Sequence, residues 1–310
     1  MDSKCAAFWK HTNIRSDNRI FPCCRFKEPV DKFNGNVEEI LFYESYQTLR
    51  TKSQNGEYIS GCNKCYHEES IGKVSLRQQF NKEYDTDFVS LKYLEIGFDN
   101  ICNLTCDGCW SEFSNEWAKK EGLDKTIQIK STETITTVPD TIEKIVFLGG
   151  EPLMTNRHVK FLQLVKHKES VDVNYNTNGT FLFSDVAIEL LKGFRNVNII
   201  LSIDGYKDLN EQVRSGSKWD QILTFIEQIK QLQYNLKVHT VVHMNSWRGL
   251  KQLEEFVNTV TDNWNVNFLT YPSHLDIINE TDQDQLLDML HSVKSVDLSH
   301  IINRLSNDRS

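Results

Sequence analysis

Three cysteines fall within one short stretch, Cys102-Asn103-Leu104-Thr105-Cys106-Asp107-Gly108-Cys109, the first two separated by three residues and the last two by two. Three thiolates this close along a chain can each hold one iron of a cubane iron–sulfur cluster, which leaves the fourth iron without a protein ligand. A cluster held by four cysteines is closed, suited to electron transfer or to bracing a fold. One held by three keeps a coordination position for a small molecule, as a catalytic zinc does. A second group, Cys5, Cys23, Cys62 and Cys65, offers four thiols and contains a Cys-x-x-Cys pair. Four ligands make a closed site, for a cluster or for zinc. Cys24 is a fifth thiol for those four positions.

Other polar residues stand where a ligand could use them. Gly149-Gly150-Glu151-Pro152 follows an apolar run. The two glycines allow close approach to the backbone, and Glu151 can accept a hydrogen bond from an ammonium. The same four residues also make a plain strand-to-helix turn with Pro152 near the helix start. Ser202 and Asp204 alternate at a strand end, so they share a face and suit ribose hydroxyls. The fork of Arg214 matches a carboxylate, though an arginine on a helix surface would look the same. Asn178-Gly179 and Asp204-Gly205 are in addition good turn pairs. His239 and His243 share a strand face, and His243 is either an acid–base group or a satisfied structural histidine.

These residues need elements to position them. From residue 91 the chain alternates apolar β-rich runs with helix-period stretches: Leu91–Phe98, Lys144–Leu148, Asp172–Asn176, Val197–Ile203, Leu236–His243 and Val266–Tyr271 read as strands. Helical spacing appears at Val159, Leu162, Leu164 and Val165, and at Ile222, Phe225, Ile226 and Ile229. Such alternation predicts parallel strands with right-handed crossovers. Each candidate motif falls at the C-terminal end of a strand, where barrel enzymes place their sites. Before this region, Ala6–His11 and Arg19–Pro22 read as two short strands joined through Ser16-Asp17-Asn18, and a helix is expected to start at Asn36. Residues 280–305 read as short terminal helices.

The Cys-x3-Cys-x2-Cys triplet, Gly149-Gly150-Glu151-Pro152, Asn176-Thr177-Asn178-Gly179, Leu201-Ser202-Ile203-Asp204-Gly205 and Arg214 occur in an order that resembles the radical S-adenosylmethionine (SAM) superfamily. The resemblance covers roughly residues 91–275. It implies an α/β fold built as an incomplete (β/α)6 barrel. It further implies that Cys102, Cys106 and Cys109 hold a catalytic 4Fe–4S cluster whose open iron chelates SAM, with Gly149, Gly150, Glu151, Asn178, Ser202, Asp204 and Arg214 as cofactor-binding residues. In the family an electron from the cluster splits the sulfonium, and the resulting 5′-deoxyadenosyl radical takes a hydrogen atom from the substrate. The set Cys5, Cys23, Cys62 and Cys65 resembles a twitch or SPASM auxiliary module, here placed before the barrel instead of after it; family spacing alone favours Cys23 over Cys24. The resulting division is a small cysteine-rich auxiliary-cluster module over 1–85, a barrel core over 91–275 and a helical segment over 276–310. One departure stands out: the residue before the last cluster cysteine is often aromatic in the family, and here it is Gly108, with Trp110 a candidate to supply the ring.

Length and charge narrow the partners. A chain of 310 residues is long enough for one large domain and a smaller one, and 39% hydrophobic with 25% charged residues is ordinary for a globular protein. A net charge of −8 argues against broad affinity for nucleic acid, although residues 1–30 are locally basic. No run suggests a membrane span, and Met1-Asp2-Ser3-Lys4-Cys5 shows no apolar leader. Eight cysteines without an export signal favour metal or redox chemistry and a cytoplasmic location. The leading expectation is therefore a radical SAM enzyme with two 4Fe–4S clusters, a flavodoxin- or ferredoxin-type electron donor, and a peptide or small-molecule substrate. The competing expectation is a cysteine-rich cluster or zinc module that binds a protein or nucleic-acid partner. That module would have no use for Gly-Gly-Glu-Pro or Ser-x-Asp-Gly at strand ends.

Overall fold

The computed structural model describes residues 3–70, 72–123 and 135–307. The last three residues of the expected C-terminal segment, 308–310, lie outside that range. The eleven strands, in chain order, are β1 (His11–Ile14), β2 (Arg19–Phe21), β3 (Asp31–Lys32), β4 (Tyr93–Gly97), β5 (Thr105–Cys106), β6 (Lys144–Leu148), β7 (Asp172–Thr177), β8 (Asn196–Ser202), β9 (Arg214–Ser215), β10 (Asn235–Val242) and β11 (Trp264–Phe268). The six strands read from the sequence appear at β4, β6, β7, β8, β10 and β11; β6 matches at both ends, and the other ends agree to within three residues. The fold is α/β with a mostly parallel sheet. No described helix is long and apolar enough to cross a membrane.

The chain divides into two compact units. The first comprises Met1–Asn100, Thr126–Asn174 and Asp185–Arg195. Here β4 pairs in parallel with β6 (Leu94 opposite Ile145) and with β1 (His11 opposite Tyr93), while β2 and β3 add antiparallel. The N-terminal segment departs from expectation. Ala7–Lys10 is a helical turn, and the strand begins only at His11. The apolar run of Ala6, Ala7, Phe8 and Trp9 is buried on every side, in a cluster with Phe26, Leu49, Ile59 and Phe80. A run that meets core all round carries no alternation to mark it as a strand. The expected helix at Asn36 also starts later, at Glu44, because the side chains of Asn34 and Asn36 close local turns onto the amides of Asn36 and Glu38. The helix Leu76–Glu83 starts at a capping box in which Ser75 and Gln78 satisfy each other's amides.

The second unit comprises Ile101–Lys125, Tyr175–Ser184 and Asn196–Ser310. Strand β10 lies between β8 and β11, parallel to both. Val197, Ile199 and Leu201 of β8 are buried, as are Val238, Thr240 and Val242 of β10, so one sheet face is apolar. The helix Trp219–Gln231 buries Ile222, Phe225, Ile226 and Ile229, the stripe read from the sequence. Each such side chain contributes about 2 kcal/mol on burial. Two terminal helices, Gln283–Ser292 and Ser299–Asn307, follow as expected.

Candidate functional site

The cysteine triplet sits in a loop of the second unit that its own side chains brace. The backbone amide of Cys102 donates to Asn115 Oδ1 at 2.7 Å, Ser114 Oγ donates to the Leu104 carbonyl at 2.6 Å, and Trp117 Nε1 donates to the Cys106 carbonyl at 3.0 Å. Ser114 at the same time caps the helix Asn115–Lys120 by accepting from the Trp117 amide. Asn178 ties the loop from another side. Its Nδ2 donates to Asn103 Oδ1 at 3.0 Å and lies 3.9 Å from Cys102 Sγ, while its Oδ1 accepts from the amide and hydroxyl of Thr180. Sequence reading assigned Asn178 to a ligand and passed over Asn103, Ser114, Asn115 and Thr180. The Ser114-Asn115 helix start was the available signal.

Strand β5 holds Cys106 directly opposite Arg214 of β9. Arg214 Nη1 donates to Asp204 Oδ2 at 2.7 Å, and Asp204 Oδ1 accepts from the Val241 amide, also at 2.7 Å. Asn210, fully buried, accepts from the Asp204 amide at 3.0 Å. Arg214 and Asp204 thus form a buried ion pair next to Cys106, and among the described residues Arg214 Nε has no acceptor. A carboxylate has about four lone-pair sites, so Asp204 can still accept from hydroxyls. Ser202 is half-buried at the end of β8, opposite His239. His243 is buried just beyond β10. Its Nδ1 accepts from the Asn245 amide at 3.4 Å, and its Nε2 finds no partner among the described residues. Burial pushes the pKa of His243 down, partly opposed by Asp204 and Asp107.

Gly108 has φ +74°, and a Cβ there would stand 2.7 Å from the Leu269 side chain. That accounts for the missing aromatic. Trp110 packs edge-on against Phe113 and Tyr271, with ring centroids 4.9 and 5.5 Å away.

In the first unit, Gly149 has φ +111°, and a Cβ there would meet the Asp99 carbonyl at 2.5 Å. A Cβ on the facing Gly97 would be crowded as well, lying 3.2 Å from Gly149 Cα. The Gly150 amide donates to the same Asp99 carbonyl at 3.0 Å. Glu151 is buried, and its carboxylate accepts from the Leu153 amide at 3.1 Å, capping the short turn that Pro152 begins.

The same unit brings the other cysteines together. Cys5, Cys23, Cys62 and Cys65 line one cavity that is partly open to solvent, walled by Phe8, Gly61, Leu76 and Phe80. Cys23 is in the lining and Cys24 is not. Burial, added to by the nearness of other thiols, pushes the thiols of Cys23 and Cys62 up to about 12. Burial also raises Cys106, and takes Cys109 to about 11. Buried thiols that each oppose ionisation of their neighbours need a cation among them to become thiolates. Among the described residues no three His, Cys, Asp or Glu side chains gather about a single ion position. A cubane distributes its cysteines over separate irons and needs no such single point, and the four cysteines lining this cavity match its donor set.

A family model, the radical SAM superfamily, matches residues 97–257. The chain belongs to that superfamily, which makes it an enzyme and implies a 4Fe–4S cluster with SAM. In particular, it is 28% identical over 161 residues to GTP 3′,8-cyclase of Campylobacter jejuni subsp. doylei, covering 50% of this chain and 48% of that one. It is 26% identical over 153 residues to GTP 3′,8-cyclase of Campylobacter lari, covering 49% and 47%. The chain therefore spans about half the length of the curated relatives it matches. The crystal structure of SuiB from Streptococcus suis superposes at a TM-score of 0.45 with 14% identity, over 94% of this chain and 68% of that one, a likeness too loose to bear on site geometry.

Proposed function

We propose that this enzyme holds a 4Fe–4S cluster on Cys102, Cys106 and Cys109, cleaves SAM reductively, and takes a hydrogen atom from a peptide or small-molecule substrate. A second 4Fe–4S cluster on Cys5, Cys23, Cys62 and Cys65 accepts or relays an electron, and a flavodoxin- or ferredoxin-type donor feeds the first. The fold reading that accompanies this is an incomplete (β/α)6 barrel with residues 1–85 as a twitch- or SPASM-like module. The observation that carries the two-cluster reading is the lining of one cavity by Cys5, Cys23, Cys62 and Cys65. The likeness to GTP 3′,8-cyclases adds a nucleotide to the candidate small molecules.

When bound, the clusters and SAM supply the electrons and the radical chemistry. The chain's own part is placement. Asn115, Ser114, Trp117 and Asn178 fix the triplet loop before any iron arrives. Arg214 offsets the charge of the thiolates at Cys106 and Cys102. Glu151 and Asp204 are proposed acceptors for the ammonium and ribose of SAM, with Gly149, Gly150, Asn178 and Ser202 completing the set.

Iron and zinc analysis of anaerobically reconstituted protein tests this. The wild type should carry about eight irons per chain, and replacing Cys102, Cys106 and Cys109 together by Ala should leave about four. Wild type with about four irons plus zinc would sink the auxiliary cluster. Cleavage of SAM by the reduced protein should survive replacement of Cys62 and Cys65 but not of Cys106.

A further inference from the structure

Two cations share the wall of the four-cysteine cavity, Arg25 and Arg77. Arg77 is buried, and its three nitrogens reach two other segments. Nε donates to Glu69 Oε1 at 3.0 Å, Nη2 pairs with Glu69 Oε2, and Nη1 donates to the Lys4 carbonyl at 2.9 Å. Lys4 directly precedes Cys5. Glu69 lies one turn beyond Cys65 on the helix Asn63–Ser70, and it also accepts from Ser75 Oγ, the cap of the helix that supplies Leu76 and Phe80 to the cavity. One guanidinium thus joins the chain at Cys5, the helix of Cys65 and the apolar wall. Arg25, two residues past Cys23, pairs with Glu68 on the same cysteine helix. Two adjacent acids therefore clamp two arginines against the set.

The charges do not simply cancel at the cavity. Both arginines bound it, whereas Glu68 and Glu69 are not among its lining residues. At Cys62 the influence of Arg77 outweighs that of Glu69, and a charge as buried as that of Arg77 is little screened. An occupant bound by four thiolates becomes more negative when reduced, so adjacent guanidinium groups favour its reduced form.

We propose that Arg77, assisted by Arg25, is a positioning residue that holds Cys5, Cys62 and Cys65 in register and raises the reduction potential of the cluster they bind, while Glu69 and Glu68 temper that effect. The inference rests on the auxiliary-cluster reading above.

The test uses the full chain carrying C102A, C106A and C109A, so that iron resides only at the N-terminal site. It is reconstituted anaerobically and titrated electrochemically with electron paramagnetic resonance detection. Adding R77Q should lower the potential, weakening the reduction equilibrium at least tenfold, which is 59 mV for one electron. R25Q should act in the same direction by less, because its side chain is 33% exposed. E69Q should raise the potential. R77K should keep the potential but bind less iron, since a single ammonium cannot span Glu69 and the Lys4 carbonyl as the fork does. Unchanged potentials in R77Q and R25Q at full iron occupancy would overturn the inference, as would a downward shift in E69Q. If R77Q does not fold, opposite shifts in R25Q and E69Q remain the required result. A parent protein that binds no iron at all would instead refute the auxiliary cluster itself.

Discussion

The buried pair of Asp204 and Arg214 gives a sharp prediction, because its geometry sets both a sign and a size. Asp204 uses one oxygen for Arg214 and the other for the Val241 amide, each at 2.7 Å, and the two side chains are 7% and 14% exposed. D204N leaves Arg214 buried without a counter-charge. R214M leaves the carboxylate buried with only the amide. Removing one partner of a buried pair costs about 3–5 kcal/mol, which for a chain of this size lowers the melting temperature by about 5–8 °C. The double variant D204N/R214M removes both charges at once, so it should be less destabilised than the sum of the singles by about 2 kcal/mol. Calorimetry or denaturant unfolding of the apoprotein reads all three. Because Arg214 lies opposite Cys106 across β5 and β9, both singles should also bind less iron at the triplet. If the two single effects add within about 0.5 kcal/mol, the residues are not coupled and the argument fails.

Two further outcomes follow from single residues. G149A places a Cβ at 2.5 Å from the Asp99 carbonyl in a backbone region closed to alanine, so it should cost about 1–3 kcal/mol in strain and abolish SAM binding measured by equilibrium dialysis; a fully stable G149A that binds SAM would contradict this. Burial lowers the pKa of His158 to about 4 from 6.5, so its folded form stays neutral while the unfolded chain takes up a proton. Its share of stability is intact above pH 6.5 and falls by about 3 kcal/mol as the pH drops to 4, and urea midpoints should show that slope flatten in H158F, whose ring packs beside Phe147.

How much of this could be read from sequence varied with the range of the determining contacts. Lys144–Leu148 was legible to the residue because a short β-branched apolar run bounded by two glycines has few alternatives. The stripe Ile222, Phe225, Ile226 and Ile229 was legible for the same local reason. The N-terminal segment was not. Strand β1 exists because His11–Ile14 finds Tyr93–Ile96 some eighty residues away, and nothing in Ala6–Trp9 announces that partner. The site shows the same split. The cysteine spacing identified the triplet, but the ion pair joining Asp204 to Arg214, and the pairing of Arg77 with Glu69, depend on where separate segments meet. Cys24 against Cys23 was undecidable from two adjacent identical residues and is separated only by which one faces the cavity.

The facing glycines at 97 and 149 carry a consequence for anyone who would redesign this enzyme. Because a Cβ at 149 would collide with the Asp99 carbonyl at 2.5 Å and one at 97 would crowd Gly149 Cα at 3.2 Å, that stretch of bare backbone offers little handle for mutation. Its shape is set by peptide geometry and cannot be widened, narrowed or recharged one residue at a time.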